Sequence, residues 1–368
     1  MVTPTKRLHL CFRSCTSNVL LNLFKKKRCY SIYFILTVVF VIEILSYYYV
    51  AFLWYPIECE DNHQCTKILL VADPQLIGLQ NEHIHILTPL SIWDSDWYLS
   101  NTYSHAYRFT QPDVVIFLGD LFDEGSTAME KEFDSYVDRF YNIFEKDDIQ
   151  YIWIPGDNDI GGEYADYITS HKIERFFEAF PQEDVVIYKN IRFNKINRLI
   201  NQAPIRENAK PEENYTDIAL SHLSLLSIPT LFVDKVLESL QPKIIFTAHS
   251  HKALVIKMRE DSRNDRLITP IEPESTKVYQ YDLNDDYLVE IIVPTCSYRM
   301  GTTKIGYGFA VLESNKLKYT ILWTSSRFLQ LKIYGALCIV FFFYYFFRSC
   351  CKCKKAETAQ YSILEHIA

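Results

Sequence analysis

Apolar residues are concentrated in two long runs near the ends of the chain. The runs cover residues 31–55 and 328–347, and each is long enough to cross a hydrocarbon core about 30 Å thick. Basic residues precede the first run and follow the second, so the positive-inside rule places both termini in the cytosol. The pattern predicts a basic cytosolic arm over 1–30, a transmembrane helix at each run, a lumenal domain over 56–326 and a cytosolic tail over 348–368.

The first run has one alternative interpretation, a signal peptide that is removed. Its hydrophobic length and the lack of a clear small-residue cleavage site favour an uncleaved anchor instead.

Between the two runs, short apolar segments alternate with longer amphipathic ones, which is the pattern of an α/β fold. Strands are predicted over 67–73, 113–120, 149–157, 185–196, 217–226 and 242–251. Helices are predicted over 128–144, 171–180 and 233–240, and the remainder to residue 323 is predicted to be rich in strands.

Charge, cysteines and a glycosylation sequon bear on the binding partners and the compartment of the predicted domain. The formal net charge is −7 although both ends are basic, so the predicted lumenal domain is acidic. That balance argues against nucleic-acid binding and suits a cation site. In the predicted oxidising compartment, Cys59 and Cys65 either close a short loop or stay reduced, while Cys296 is predicted to be buried. The sequon at Asn214 predicts a glycoprotein.

Polar side chains stand where the apolar strands stop. They are Asp73, Asp120 and Asp157 on the first three strands, His222 toward the end of a later strand, and His249 and His251 after the next. Taken singly, such an aspartate is more often a turn or cap residue, and such a histidine an interior one. Because ligands bind beyond the carboxyl ends of strands in open α/β sheets, the whole set predicts a metal site.

The motifs around these residues resemble those of the calcineurin-like metallophosphoesterases. In order along the chain they are Asp73-Pro74-Gln75, Gly119-Asp120-Leu121-Phe122-Asp123, Gly156-Asp157-Asn158-Asp159, Ser221-His222 and Ala248-His249-Ser250-His251. In that family the blocks read D-x-H, G-D-x-x-D, G-N-H-D/E, a lone His and G-H-x-H. GDLFDEG (119–125), PTCSYRMG (294–301) and the flanking apolar runs resemble its membrane-bound subgroup, which includes metallophosphoesterase 1 and the fungal Cdc-one and Ted-one proteins.

The resemblance implies an α/β fold in which a metallophosphoesterase β-sandwich is flanked by helices, with one transmembrane helix at each end. It also implies a centre with two divalent metal ions, manganese first and iron or zinc as alternatives. Asp73, Gln75 and His251 would hold the first ion, Asp157, His222 and His249 the second, and Asp120 would bridge both. Together the ions would activate a water and clamp the phosphate during in-line attack. Asp123 and Asp159 are expected either to accept hydrogen bonds from ligand histidines or to cap helices.

Three positions depart from the family pattern. Gln75 replaces a histidine, so the first ion should bind more weakly or be a harder ion. Asp157 replaces an asparagine and should hold a cation at least as well. Asn158 replaces the histidine that contacts the phosphate or protonates the leaving group. Asp120 and Asn158 are the predicted catalytic residues, although the amide of Asn158 can hydrogen-bond a phosphate but delivers no proton at neutral pH.

The subgroup implies a specific function. Its members remove ethanolamine phosphate from GPI-anchor glycans and promote transport of GPI-anchored proteins from the ER to the Golgi. The expected partners are therefore a GPI-anchored glycolipid or protein and membrane lipid, and the expected location is the membrane of the ER, ER exit sites or Golgi. The alternative is a non-catalytic or very slow relative that acts as a GPI or cargo receptor.

Overall fold

The structure of the protein, a computed structural model, describes residues 30–60, 65–80, 86–146, 148–205, 215–259, 262–274 and 278–365. The chain divides between Leu53 and Trp54 into two compact units. Nearly all of the predicted basic arm and the sequon residue Asn214 lie outside the described residues.

The first unit contains helix α1 (Tyr30–Phe52), which includes a π-helical stretch over Val41–Leu45. At the other end of the chain, a long helix covers Arg327–Glu365, and its apolar part is Arg327–Phe347. These two apolar helices, with mean hydropathies of 2.0 and 1.6, are long and apolar enough to cross a membrane. The C-terminal helix continues through most of the segment predicted as a separate tail.

The second unit is built on strands and helices that alternate along the chain. Its strands are β1 (Thr66–Val71), β2 (Val114–Phe117), β3 (Gln150–Trp153), β4 (Val185–Tyr188), β5 (Ile191–Ile196), β6 (Thr216–Ser221), β7 (Ile244–Thr247), β8 (Leu254–Arg259), β9 (Ser262–Pro270), β10 (Tyr279–Asp282), β11 (Tyr287–Ile292), β12 (Gly306–Glu313) and β13 (Lys316–Trp323). Its helices are α2 (Thr88–Thr110), α3 (Glu130–Phe144), α4 (Asp157–Ile160), α5 (Ser170–Ala179), α6 (Leu231–Leu240) and α7 (Arg327–Glu365).

The strands form two sheets. The first has the order β10-β13-β12-β1-β2-β3, in which β1, β2 and β3 are parallel. The second has the order β4-β5-β6-β7-β11-β8-β9, in which β5, β6, β7 and β11 are parallel. One buried cluster joins apolar side chains of both sheets, among them Leu70, Ile116, Phe193, Leu220 and Phe246. The predicted β-sandwich is confirmed.

Helices cover the outer faces of the sandwich. On the first sheet, the Phe117 ring contacts Phe140 and Phe144 of α3 at centroid distances of 4.9 and 5.2 Å, and Phe144 in turn contacts Tyr103 of α2. On the second sheet, α6 buries Val236 and its apolar neighbours in a separate cluster. Burial of these aromatic and aliphatic faces is the main driving force that holds the layers together.

The structure corrects two predicted elements and adds a helix that was not predicted. The segment 185–196 is a hairpin of β4 and β5, since Lys189 (φ 52°) turns the chain between them. Strand β6 ends at Ser221, so His222 lies just beyond the strand. Helix α2 was not predicted, because apolar residues on both of its faces weaken the helical period that an amphipathic helix shows.

Candidate metal centre

The candidate site lies at the carboxyl ends of parallel strands from both sheets. Asp73, Asp120 and Asp157 follow β1, β2 and β3 of the first sheet. His222 and His249 follow β6 and β7 of the second. Neighbouring parallel strands end on the same side, so the fold brings together side chains that are far apart in sequence.

The potential ligand atoms form two groups, and within each group they lie within 4.8 Å of one another. The first group consists of Asp120, Asp157, His222 and His249, and the second of Asp73, Asp120 and His251. Gln75 lies beside the second group, with its Nε2 3.0 Å from Asp120 Oδ2 and 3.4 Å from His251 Nε2. All seven predicted ligands are therefore neighbours, and Asp120 belongs to both groups. Their roles as ligands stay predictions.

His222 is oriented by the backbone. Its Nδ1–H donates to the carbonyl of Leu118 at 2.7 Å, which fixes the tautomer and points Nε2 into the site. Nε2 lies 2.9 Å from Asp157 Oδ1 and 3.4 Å from Asp120 Oδ1. A backbone carbonyl thus takes the supporting position that was expected of an aspartate.

Asp159 has a different role from the one expected beside a histidine. Its buried carboxylate accepts the backbone N–H groups of Gly156, Leu121 and Phe122 at 2.8–3.2 Å. The alternative expectation, a capping role, describes these contacts better, because the side chain joins the turns that follow β2 and β3. Burial raises the pKa of Asp159 to about 7.

His249 is the most exposed of the grouped ligands. Its Nδ1 lies 3.0 Å from Asp157 Oδ1, and its side chain is 43% exposed. Its backbone N–H donates to Asp73 Oδ1 at 3.3 Å, which links the two groups. The site is therefore in contact with solvent at His249.

Three carboxylates are buried together, since Asp73, Asp120 and Asp157 are at most 4% exposed. In the part of the chain that the structure describes, their ion-pair partners are histidines, His222 and His249. Asp73 Oδ2 is buried and accepts no hydrogen bond from any described residue. Buried negative charge and a carboxylate oxygen without a partner are costly unless cations are bound. The residues therefore fit the divalent ions that the resemblance implies.

Burial and the neighbouring charged groups shift the pKa values of these side chains. Burial raises the pKa of Asp73 to about 8. Burial also opposes ionisation of Asp157, but hydrogen bonds from His222 and His249 outweigh it and hold the pKa of this carboxyl well below its usual range. Burial disfavours the charged form of His222, yet the carboxylates of Asp120 and Asp157 raise its pKa well above the ordinary value.

Five of the seven predicted ligands have left-handed backbone conformations. Their φ angles are 46° at Asp73, 42° at Gln75, 51° at Asp120, 64° at His249 and 57° at His251. This region is uncommon for residues with a side chain, and such conformations cluster at functional sites. Here they turn the chain sharply at the strand ends, where the ligand side chains meet.

Two glycines leave room for the site. A Cβ atom at Gly119 (φ 92°) would lie 2.5 Å from His222 Nδ1. A Cβ atom at Gly156 would lie 2.1 Å from Asp120 Oδ1. The apolar strand and polar turn of residues 153–162 therefore need glycine at 156 so that Asp120 can approach the backbone.

Asn158 lies at the edge of the site. Its backbone N–H donates to Asp120 Oδ1 at 3.0 Å, and its Nδ2 donates to Asp120 Oδ2 at 3.3 Å. The side chain is half-buried. Asn158 therefore contacts the carboxylate that both groups share, and its catalytic role stays a prediction.

Two supporting residues were not predicted from the sequence. Thr295 Oγ1 donates to the Asp73 carbonyl at 2.8 Å. Glu290 is fully buried in β11 and accepts the N–H groups of Leu225 and Leu226 and the hydroxyl of Thr247. The motif at 294–301 was the signal for Thr295, whereas an isolated glutamate in a strand gave no signal for Glu290.

The model of the calcineurin-like phosphoesterase family matches residues 66–253, about half of the chain and the segment that holds all seven predicted ligands. The chain belongs to this family. Metallophosphoesterase 1 of Ailuropoda melanoleuca is 32% identical over 169 residues, which are 44% of this chain and 41% of that protein. The metallophosphoesterase 1 homolog of Drosophila melanogaster is 32% identical over 136 residues, 36% of this chain and 35% of that protein. The chain thus spans about two fifths or less of the length of these curated relatives.

Solved structures are also similar to the chain. A dimetal phosphatase from Danio rerio has a TM-score of 0.41 at 10% identity, covering 71% of this chain and 99% of that structure. A metallophosphoesterase from Sphaerobacter thermophilus has a TM-score of 0.37 at 13% identity, covering 73% of this chain and 94% of that structure.

Proposed function

We propose that this protein is a metal-dependent phosphodiesterase that removes ethanolamine phosphate from GPI-anchor glycans in the early secretory pathway. The observation that carries the reaction type is the position of Asp120, which belongs to both groups of potential ligands. A carboxylate shared between two such groups suits a two-metal site for phosphoryl chemistry. Family membership and the relatives named metallophosphoesterase 1 support the same reaction type.

Asp73, Gln75, Asp120 and His251 would hold one ion, and Asp120, Asp157, His222 and His249 the other. Bound there, two divalent ions would polarise the phosphate oxygens and lower the pKa of a water nucleophile. Mixed imidazole and carboxylate donors suit manganese, iron or zinc. For Gln75, the amide oxygen is the atom that can bind a cation.

The protein's own groups position the phosphate and the ligands. Asn158 Nδ2 lies at the edge of the site, where it can donate a hydrogen bond to a phosphate oxygen. Leu118 holds His222 in one tautomer, and Asp159 joins the turns that carry Asp120 and Asp157. Because Asn158 cannot release a proton at neutral pH, departure of an alkoxide requires a proton donor other than Asn158.

A membrane-tethered substrate is supported by a chain of contacts between the site and helix α7. Thr295 bonds the backbone of Asp73, and three residues later the Tyr298 hydroxyl donates to Asp94 at 2.8 Å. Asp94 pairs with Arg327 at the first residue of α7. If α7 crosses a membrane, these contacts hold the site at a fixed position relative to the bilayer, which suits a glycolipid phosphate.

A lumenal location is supported by the disulfide between Cys59 and Cys65. Disulfides persist in the oxidising compartments of the secretory pathway. In the proposed topology, the chain therefore crosses the membrane twice and has both termini in the cytosol. Its phosphoesterase domain lies in the lumen of the ER, ER exit sites or Golgi.

The reaction type is tested with the full chain purified in detergent, using bis(p-nitrophenyl) phosphate and added manganese. Asp120→Asn is expected to abolish turnover, while Asp138→Asn at an exposed position of α3 retains it. Unchanged activity of Asp120→Asn would refute the shared role of that carboxylate. Fewer than one metal ion per chain, together with no turnover, would favour the receptor alternative.

The substrate is tested separately by glycan analysis of GPI anchors from cells that lack the protein. The proposal predicts anchors that retain an extra ethanolamine phosphate. An unchanged pattern would remove the GPI assignment and leave the metal site intact.

A further inference from the structure

Helix α2 is apolar on two opposite faces in its N-terminal half. One face packs on the sandwich and buries Tyr98 and Leu99 completely. The opposite face exposes Leu90 by 56% and Trp93 by 58%. A helix at the surface of a soluble protein normally has a polar outer face, so burial in the fold does not explain these outward residues.

The exposed residues form a continuous strip. Leu90, Trp93 and Trp97 recur at helical spacing, and Leu87 precedes them with 63% exposure. The rings of Trp93 and Trp97 stack with centroids 6.1 Å apart and planes 17° apart. We call Leu87, Leu90, Trp93 and Trp97 the α2 strip.

The same part of α2 is attached to the start of helix α7. Asp94, next to Trp93, forms a buried ion pair with Arg327, whose Nε donates to Asp94 Oδ1 at 3.2 Å. The Tyr98 hydroxyl, one turn further along α2, donates to the Ser325 carbonyl at 2.8 Å. The α2 strip is therefore held beside the residue at which α7 begins.

The apolar part of α7 begins at Arg327 and is long enough to cross a bilayer. Four residues of helix rise about 6 Å, so Leu90 and Trp97 each lie within about one helical turn of Asp94 along α2. The polar layer on each side of a bilayer is about 5–7 Å deep, which is comparable with that rise. Tryptophan is enriched in this layer because its ring is apolar and its N–H is polar.

We propose that the α2 strip lies on the surface of the bilayer that α7 crosses, with Leu90 and Trp93 inserted among the lipid headgroups. The occupant of this face is lipid, because the strip is continuous with the start of the apolar helix. The inference rests on α7 as a membrane span and is independent of any catalytic activity. The contact would fix how the phosphoesterase domain is tilted on the membrane.

The test uses the full chain with p-benzoylphenylalanine in place of Trp93, reconstituted in phosphatidylcholine vesicles and irradiated. The matched control carries the same probe at Tyr164, which is 98% exposed in the loop between α4 and α5. We expect the yield of lipid adducts at position 93 to be about tenfold higher than the yield at position 164, because only the probe at position 93 would touch lipid. Equal yields, or adducts at position 93 that join the chain to protein, would overturn the proposal.

A second measurement avoids the probe. Vesicles that contain brominated phosphatidylcholine should quench the tryptophan fluorescence of the unsubstituted chain, and the double variant Trp93→Phe, Trp97→Phe should lose most of that quenching. Quenching that is unchanged in the double variant would also overturn the proposal, whatever the result for phosphodiester hydrolysis.

Discussion

Gly156 packs so closely against Asp120 that a Cβ atom at this glycine would lie 2.1 Å from Asp120 Oδ1 and 2.3 Å from its backbone nitrogen. The turn after β3 thus fits around the carboxylate that both groups of potential ligands share. A methyl group would have to displace either Asp120 or the backbone of this turn.

Gly156→Ala is therefore expected to lower bound metal and phosphodiesterase activity. Overpacking of this kind costs about 1–3 kcal/mol, which corresponds to a loss of about fivefold to 150-fold if it falls on the position of Asp120. Metal content and hydrolysis of an aryl phosphodiester measure the effect. Gly335→Ala in α7 is the matched control, because a Cβ atom there meets nothing within 4 Å. Full activity of Gly156→Ala would show that the turn adjusts freely.

Asn158→His is expected to accelerate hydrolysis of diesters with poor leaving groups. An imidazole at this position can donate the proton that the amide cannot, and general acids contribute about 10²–10⁴-fold. An alkyl phosphodiester should gain much more than a p-nitrophenyl diester, whose leaving group needs no proton. The comparison of the two substrates with Asn158→Ala as control separates proton donation from binding. Equal gains on both substrates would contradict a leaving-group role.

Glu290→Gln is expected to destabilise the fold beside the site. The carboxylate accepts two backbone N–H groups of the loop after His222 and the hydroxyl of Thr247, two residues before His249. A glutamine has one acceptor oxygen, so a buried donor loses its partner at a cost of about 1–3 kcal/mol. A lower Tm in detergent is expected, with the exposed Glu174→Gln unchanged.

The effect of Glu290→Gln should depend on pH. Burial raises the pKa of Glu290 above its ordinary value of 4.5, so the folded state binds this proton more tightly than the unfolded state. That stabilisation is complete below pH 4.5 and is lost as the pH rises through the raised value. The stability advantage of the unsubstituted chain over Glu290→Gln should therefore shrink as the pH rises from 4.5 through the raised pKa of Glu290. A constant or growing difference would contradict the raised pKa.

Asp94→Asn should strongly destabilise the junction between α2 and α7. Asp94 and Arg327 are 9% and 3% exposed, and removal of one partner leaves the other charge buried at a cost of about 3–5 kcal/mol. A lower Tm and a lower yield of folded protein are expected. The exchange Asp94→Arg with Arg327→Asp should recover part of the loss. If Asp94→Asn alone is as stable as the unsubstituted chain, the pair does not hold the junction.

The sequence by itself determined the fold family, the two apolar helices and the seven candidate ligands. These features depend on hydrophobic periodicity and on ordered motifs, which are local properties of the chain. The same local information misjudged segment 185–196 as continuous, and it missed α2, because the outward apolar strip at Trp93 removes the contrast between two faces.

Only the tertiary structure decided how these residues support one another. The backbone carbonyl of Leu118 orients His222, Glu290 joins the loop after His222 to the end of β7, and Thr295 connects Asp73 to the segment that reaches α7. Such contacts join residues tens to hundreds of positions apart. Every residue has a backbone carbonyl, so the sequence does not indicate which carbonyl will accept a hydrogen bond from His222. They exist only once two sheets have packed and their strand ends have met.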